Sequence, residues 1–126
     1  MNKIEYWIDM ARYDLETAKA MNESGRYLYV GFMCHQTIEK ALKASIVKQK
    51  DETPPYTHNL TILAEKSGIY EQMTESQKDF LDFLEPLNIA ARYPTVKEKL
   101  LELLSAEKCR DMINRTEGEF QWIITK

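Results

Sequence analysis

The chain has 126 residues, 44% hydrophobic and 29% charged, which suits one folded domain over residues 1–126 and excludes a disordered or two-domain chain. Its net charge of −3 exerts no global pull towards nucleic acid or an anionic membrane, although a local basic patch is compatible with it. Cys34 and Cys109 lack any paired-motif spacing and fall on apolar helical stripes, so they read as reduced core thiols of a cytoplasmic protein. Nothing in their spacing supports a disulfide. The start, Met1-Asn2-Lys3-Ile4-Glu5, leads directly into a charged amphipathic helix and is not a signal-peptide pattern. No apolar run approaches membrane-spanning length.

In chain order, Ile4, Ile8, Ala11, Leu15 and Ala18 recur at helical spacing and predict a first helix over about residues 2–23, ended by Gly25. Tyr27, Val30, Gly31, Cys34, Ile38, Ala41, Leu42 and Ser45 predict a long second helix with a broad buried stripe. Lys48, Lys50 and Asp51 carry its end into solvent, and Pro54-Pro55 prevents continuation. Thr57 is the expected N-cap of a short third helix that buries Leu60 and Leu63 and stops at Gly68. Thr74-Glu75-Ser76-Gln77 is a capping box opening a fourth helix with the stripe Phe80, Phe83, Leu84, Leu87 and Ala91. Pro86 predicts a kink or break near Glu85, and Pro94 ends the helix after Arg92-Tyr93. Thr95-Val96-Lys97-Glu98 resembles another capping box. The segment after it reads equally as a short helix to Leu104 followed by a last helix from Ser105, or as one continuous helix. Either way Ala106, Cys109, Ile113, Thr116, Phe120 and Ile123 form the final stripe. The fold class is all-α, an up-and-down antiparallel bundle of about five helices.

The chemistry-bearing residues concentrate on the second helix. His35, Glu39 and Lys43 stand at successive i, i+4 positions, with Gln36 and Lys40 beside them. Glu39 is expected to accept hydrogen bonds from both neighbours, fixing the imidazole and favouring its protonated form. An imidazole fixed beside lysines suits phosphate binding or acid–base work. The plainer reading, which the frequency of such rows favours, is a surface Glu39–Lys43 pair with His35 hydrogen-bonded to a neighbouring helix. His58, following Pro54-Pro55-Tyr56-Thr57, is a ligand candidate or equally a capping or loop-packing residue. Arg92 and Tyr93 offer a guanidinium for phosphate and a ring for stacking on a base, or simply a helix cap. No H-E-x-x-H or C-x-x-C spacing, Gly-rich phosphate loop or nucleophile elbow occurs, so no metal, cofactor or catalytic residue is assigned.

Four of these patterns, in order, resemble the HEPN domain family (higher eukaryotes and prokaryotes nucleotide-binding). They are Trp7, Ala11, Asp14-Leu15 and Ala18; Tyr27 to Phe32 with His35-Gln36, Glu39-Lys40 and Leu42-Lys43-Ala44; Pro54 to Leu60; and Ala91-Arg92-Tyr93-Pro94. The resemblance implies a helical bundle, commonly a homodimer, paired with a minimal nucleotidyltransferase as in toxin–antitoxin modules. It also implies, for many members, metal-independent RNA cleavage by an R-x(4–6)-H motif. This chain departs from that motif, because Lys97, Glu98 and Lys99 follow Arg92 at the relevant spacings and no histidine lies beyond His58. The leading expectation is therefore a non-catalytic domain that binds nucleotide or RNA phosphate and a nucleotidyltransferase partner. The candidate ligand residues are His35, Glu39, Lys40, Lys43, His58, Arg92 and Tyr93. The alternatives are a divergent ribonuclease using His35 with Arg92, or a purely structural dimerisation module with no membrane role.

Overall fold

The structure, a computed structural model, describes residues 2–126, with the side chains of residues 94–96 outside the description. Its described residues form six α-helices and one short 3₁₀ turn. The helices are α1 (Lys3–Glu23), α2 (Tyr27–Lys50), α3 (Leu60–Ser67), α4 (Glu75–Ala90), α5 (Pro94–Leu103) and α6 (Ala106–Ile124). The all-α bundle is as expected, with one more helix, because the segment after Pro94 splits at Leu104 and Ser105 caps α6 through the Lys108 N–H at 3.2 Å.

Local sequence explains most of the boundaries. Asn2 caps α1 by accepting from the Glu5 N–H at 2.8 Å. The capping box opening α4 is present, with the Thr74 and Gln77 side chains each accepting the other's backbone N–H. The N-cap of α3 is Asn59 rather than Thr57: Asn59 Oδ1 accepts from the Ile62 N–H at 3.0 Å. Thr57 makes the preceding turn instead, its hydroxyl accepting from the Asn59 N–H at 3.2 Å. Gly68 closes α3 at φ 86°, a conformation that costs a side-chain-bearing residue more. Pro86 does not break α4, which runs through it to Ala90. The Pro86 side of α4 is exposed, and Phe83, against the stripe expectation, is exposed as well. At α5, Pro94 occupies the first turn, where its missing N–H costs nothing.

Helix α2 is the hub. It packs against α1, α3, α4, α5 and α6, and sixteen of its 24 residues are buried. Cross-helix pairs give the directions: Lys40 with Asp14 sets α2 antiparallel to α1, and Gln36 with Asn88 and Phe32 with Arg92 set it antiparallel to α4. Ile38, Leu42, Ile46, Leu63, Leu81, Leu84 and Phe120 fill the centre, each almost wholly buried. Burial of each such side chain stabilises the fold by about 1.5–3 kcal/mol. Cys34 and Cys109 are both free and buried. Burial pushes the Cys34 thiol up to about 12 and raises the Cys109 thiol as well, so neither sulfur is poised to react.

Two features of the interior carry testable consequences. Gly31 lets α2 approach α4 closely, since a Cβ there would lie 3.1 Å from Leu87 Cδ1 and 3.2 Å from its Cβ. Leu87 is itself buried, so it can give way only by repacking. Gly31→Val should therefore destabilise the protein by roughly 1–3 kcal/mol through overpacking. Gly118→Ala, in α6 with open space around it, should stabilise it by about 0.5–1 kcal/mol. Urea unfolding of the two variants measures both.

Glu119 is the second feature. It is 6% exposed, and its Oε2 has no hydrogen-bond partner among the described residues. Burial pushes its carboxyl up to about 8, with Arg115 only partly offsetting it. Arg115 is turned away, donating to the Ser76 carbonyl at 2.8 Å and hydroxyl at 2.9 Å. Between the ordinary value of 4.5 and about 8 the native state keeps a proton that the unfolded chain has lost, so stability falls as pH rises through this window. Glu119→Gln should flatten that decline and raise the melting temperature most above pH 8, as read by thermal unfolding across pH.

Candidate functional site

The near-complete burial of α2 decides the character of its polar residues. His35, Glu39 and Lys43 do share one helix face, but that face looks into the bundle rather than into solvent. The Glu39 side chain is only 4% exposed. Its Oε2 accepts from Lys43 Nζ at 3.0 Å, and its Oε1 lies 2.9 Å from Nδ1 of His58 on the loop before α3. The Lys43 ammonium also sits 5.5 Å from the centre of the Trp7 ring on α1, a cation–π distance. Glu39 therefore ties α2 to the proline-stiffened loop, and Lys43 ties it to α1.

His35 is wholly buried. Its Nδ1 is 3.8 Å from Glu39 Oε1 and its Nε2 is 3.9 Å from Glu85 Oε2 on α4. Both are ion-pair distances beyond hydrogen-bond range, and neither nitrogen has a hydrogen-bond partner among the described residues. Against the expectation that Glu39 bonds both its i±4 neighbours, it bonds Lys43 alone of the two, and His58 takes the place foreseen for His35. The surface-pair reading also gives way, because the Glu39–Lys43 pair is buried.

Glu85 closes the cluster from the other side. Its Oε1 accepts from the Leu60 backbone N–H, an orphan donor of the first turn of α3. Burial pushes the Glu85 carboxyl up, but the His35 ring, the Leu60 N–H and the charge of His58 outweigh it and hold it below the ordinary carboxylate value. Glu85, Trp7, Asp14 and Asn88 are the partners that reading along the helix did not supply. Their signal is long-range: each lies on another helix and faces α2 only once the bundle closes.

The remaining candidates lie elsewhere. Lys40 is neutralised by Asp14 of α1, which is itself buried. Arg92, just past α4, is exposed, and its guanidinium lies 5.9 Å from the centre of the Phe32 ring. Tyr93 beside it is 58% exposed. Phe32 stands seven residues before Glu39, about 10 Å along the helix axis. No hydrogen bond or ion pair links Arg92 to His35, Glu39 or Lys43 among the described residues. Two surfaces result: the half-exposed His58 ring backed by Glu39, and the Arg92–Tyr93–Phe32 group. Among the described residues, no three or more His, Cys, Asp or Glu side chains are arranged to hold a metal ion.

This hub-helix bundle recurs in solved structures. TT1696 from Thermus thermophilus is similar with a TM-score of 0.83 at 18% identity, over 99% of this chain and 98% of that one. ST0689, described as an archaeal HEPN homologue, is similar with a TM-score of 0.67 at 23% identity, again over 99% and 98% of the two chains. The family model of the HEPN domain matches residues 4–125, and the chain belongs to that family. No curated protein matches the sequence. No helix among the described residues is long and apolar enough to cross a membrane.

The buried Glu39 cluster predicts a sharp contrast between two ion pairs. Glu39→Ala leaves Lys43 without its carboxylate in the interior and should cost roughly 3–5 kcal/mol. Glu16→Ala breaks the exposed pair with Lys19 and should cost less than about 1 kcal/mol. Chemical denaturation of both variants checks the difference.

Proposed function

We propose that this HEPN domain is a non-catalytic, cytoplasmic binding and partner domain, which holds nucleotide or RNA phosphate and works, as a homodimer, with a minimal nucleotidyltransferase in a toxin–antitoxin-type module. The observation that carries the reading is Arg92. It is an exposed guanidinium with no ion-pair partner among the described residues, 5.9 Å from the centre of the Phe32 ring and next in sequence to the exposed Tyr93. A free guanidinium near one aromatic ring, with an exposed tyrosine next to it in sequence, suits a phosphate with a base stacked beside it. Lys40 and Lys43 already have buried carboxylate partners, so phosphate charge falls to Arg92, with the His58 ring, on the loop before α3, as a second contact.

The absence of any histidine after Arg92 removes the proton-transfer group that the family's cleavage motif uses. His35 is no substitute, since a wholly buried ring cannot meet a ribose hydroxyl. The ribonuclease alternative retains one supporting observation: His58, its Nδ1 held by Glu39, keeps a side chain that is 53% exposed. Titration calorimetry with short RNA and mononucleotides, run beside a cleavage assay, tests the reading. The expected result is binding without cleavage, weakened about tenfold or more by Arg92→Ala, the loss of one charge-assisted contact. Cleavage abolished by His58→Ala would replace this reading with the enzymatic one, and absence of binding would leave a structural dimerisation module.

A further inference from the structure

A groove apart from both the Glu39 cluster and the Arg92 face lies between α4, α6 and the joint of α5 with α6. It encloses about 460 Å³, a volume typical of small-molecule sites. Phe80, Leu87 and Met112 line it as buried side chains, and Phe83 and Leu103 as exposed ones. Helix α5 contributes Leu100 and Leu103 to this lining, yet none of its described residues is buried. The chain's own packing therefore leaves an apolar space unfilled. Two exposed apolar side chains are too few for a stable protein interface, which takes about 800 Å² from each partner. They suit the mouth of a site for a smaller molecule.

The polar groups of the wall define the chemistry of that molecule. Arg115 of α6 is held in place: its Nη2 donates to the Ser76 carbonyl at 2.8 Å and hydroxyl at 2.9 Å, and its guanidinium lies 4.6 Å from the centre of the Phe80 ring. Among the described residues its Nε and Nη1 donors have no partner, and it makes no ion pair. Lys108, seven residues earlier and about 10 Å along the axis, is likewise without an ion-pair partner among them. Asp111 is the one carboxylate of the lining, so the wall carries a net positive charge. Glu119, one turn beyond Arg115, is largely uncharged at neutral pH because burial pushes its carboxyl up to about 8, so it does not compensate the guanidinium. A guanidinium already fixed by the protein meets an anion without the entropy cost of ordering a free side chain.

We propose that this groove is a binding site for a small amphipathic organic anion, a carboxylate with a medium-length apolar chain, whose chain lies against Phe80, Leu87 and Met112 and whose charged end meets Arg115. The apolar chain supplies affinity through burial, and the guanidinium selects the sign of the head group. The site shares no residue with the Arg92 face and stands whether or not RNA binds there.

Titration calorimetry with hexanoate, octanoate and decanoate, run beside octylammonium and with NMR mapping of amide shifts, tests it. Octanoate should bind about tenfold or more tightly than octylammonium, because only the anion gains the charge-assisted contact. Each added pair of methylenes should tighten the carboxylate by about tenfold. Amide shifts should centre on the stretches of α4 and α6 around Phe80 and Met112. Arg115→Met should weaken octanoate by about tenfold. Because Arg115 also braces Ser76, Leu103→Glu at an exposed position serves as a second variant; it sets a like charge at the mouth and should weaken octanoate without touching the core. Equal affinity for octanoate and octylammonium would mean undirected apolar association and overturn the proposal. Shifts centred elsewhere, or no binding of any carboxylate, would overturn it as well.

Discussion

The carboxylate of Glu39 lies where water barely reaches it, and the middle of the bundle is organised around meeting that charge. An ionised group in such a place is tolerated only when partners surround it. Lys43 supplies one from the next turn of α2, His58 reaches in from the loop, and His35 approaches from the preceding turn. Because those partners belong to different segments, satisfying one charge fixes the positions of several elements. Through the Glu39 cluster the polar face of α2 meets α4 and the loop before α3.

The same logic extends outwards through Glu85. One of its oxygens takes an N–H from the first turn of α3, and the other faces His35. A short helix of eight residues has little intrinsic stability, so its start depends on such external acceptors. Asn59 provides one and Glu85 the other. The Pro54-Pro55 segment reduces the freedom the loop must lose, which makes it easier to hold His58 against Glu39. Loop, cap and buried charge therefore act as one unit.

Sequence reading recovered what is local. Helical spacing gave α1 and α2 nearly to the residue, the capping box gave the start of α4, and Gly68 gave the end of α3. The row of His35, Glu39 and Lys43 was also legible, but the place of His58 against Glu39 was not. What the pattern could not convey was that α2 is enclosed on most sides, so that a polar row beside an apolar stripe lies inside rather than outside. That depends on how many helices surround α2, which no window along α2 contains. Asn59 displaced Thr57 as the cap of α3 because Thr57 is engaged in the turn before it. Pro86 sits on the exposed side of α4, and the helix continues through it. The match of Glu85 to His35 and Leu60 is a tertiary fact, and nothing in the neighbourhood of Glu85 announces it.

The distribution of paired and unpaired charge decides which parts of this HEPN domain are available to a ligand. A buried lysine paired with a carboxylate contributes little net field at the surface, and recruiting it to a phosphate would strand the carboxylate it leaves. Lys40 and Lys43 are both in that position, which makes their proximity to His35 misleading as a sign of anion binding. Among the described residues Arg92 has no carboxylate to abandon, and the Phe32 ring 5.9 Å from its guanidinium consumes none of its hydrogen-bond donors. An anion there gains charge and directed donors at no cost to the core. The interior cluster and the surface guanidinium thus divide the work: the first sets where α3, α4 and the loop lie, and the second is free to meet what comes from outside.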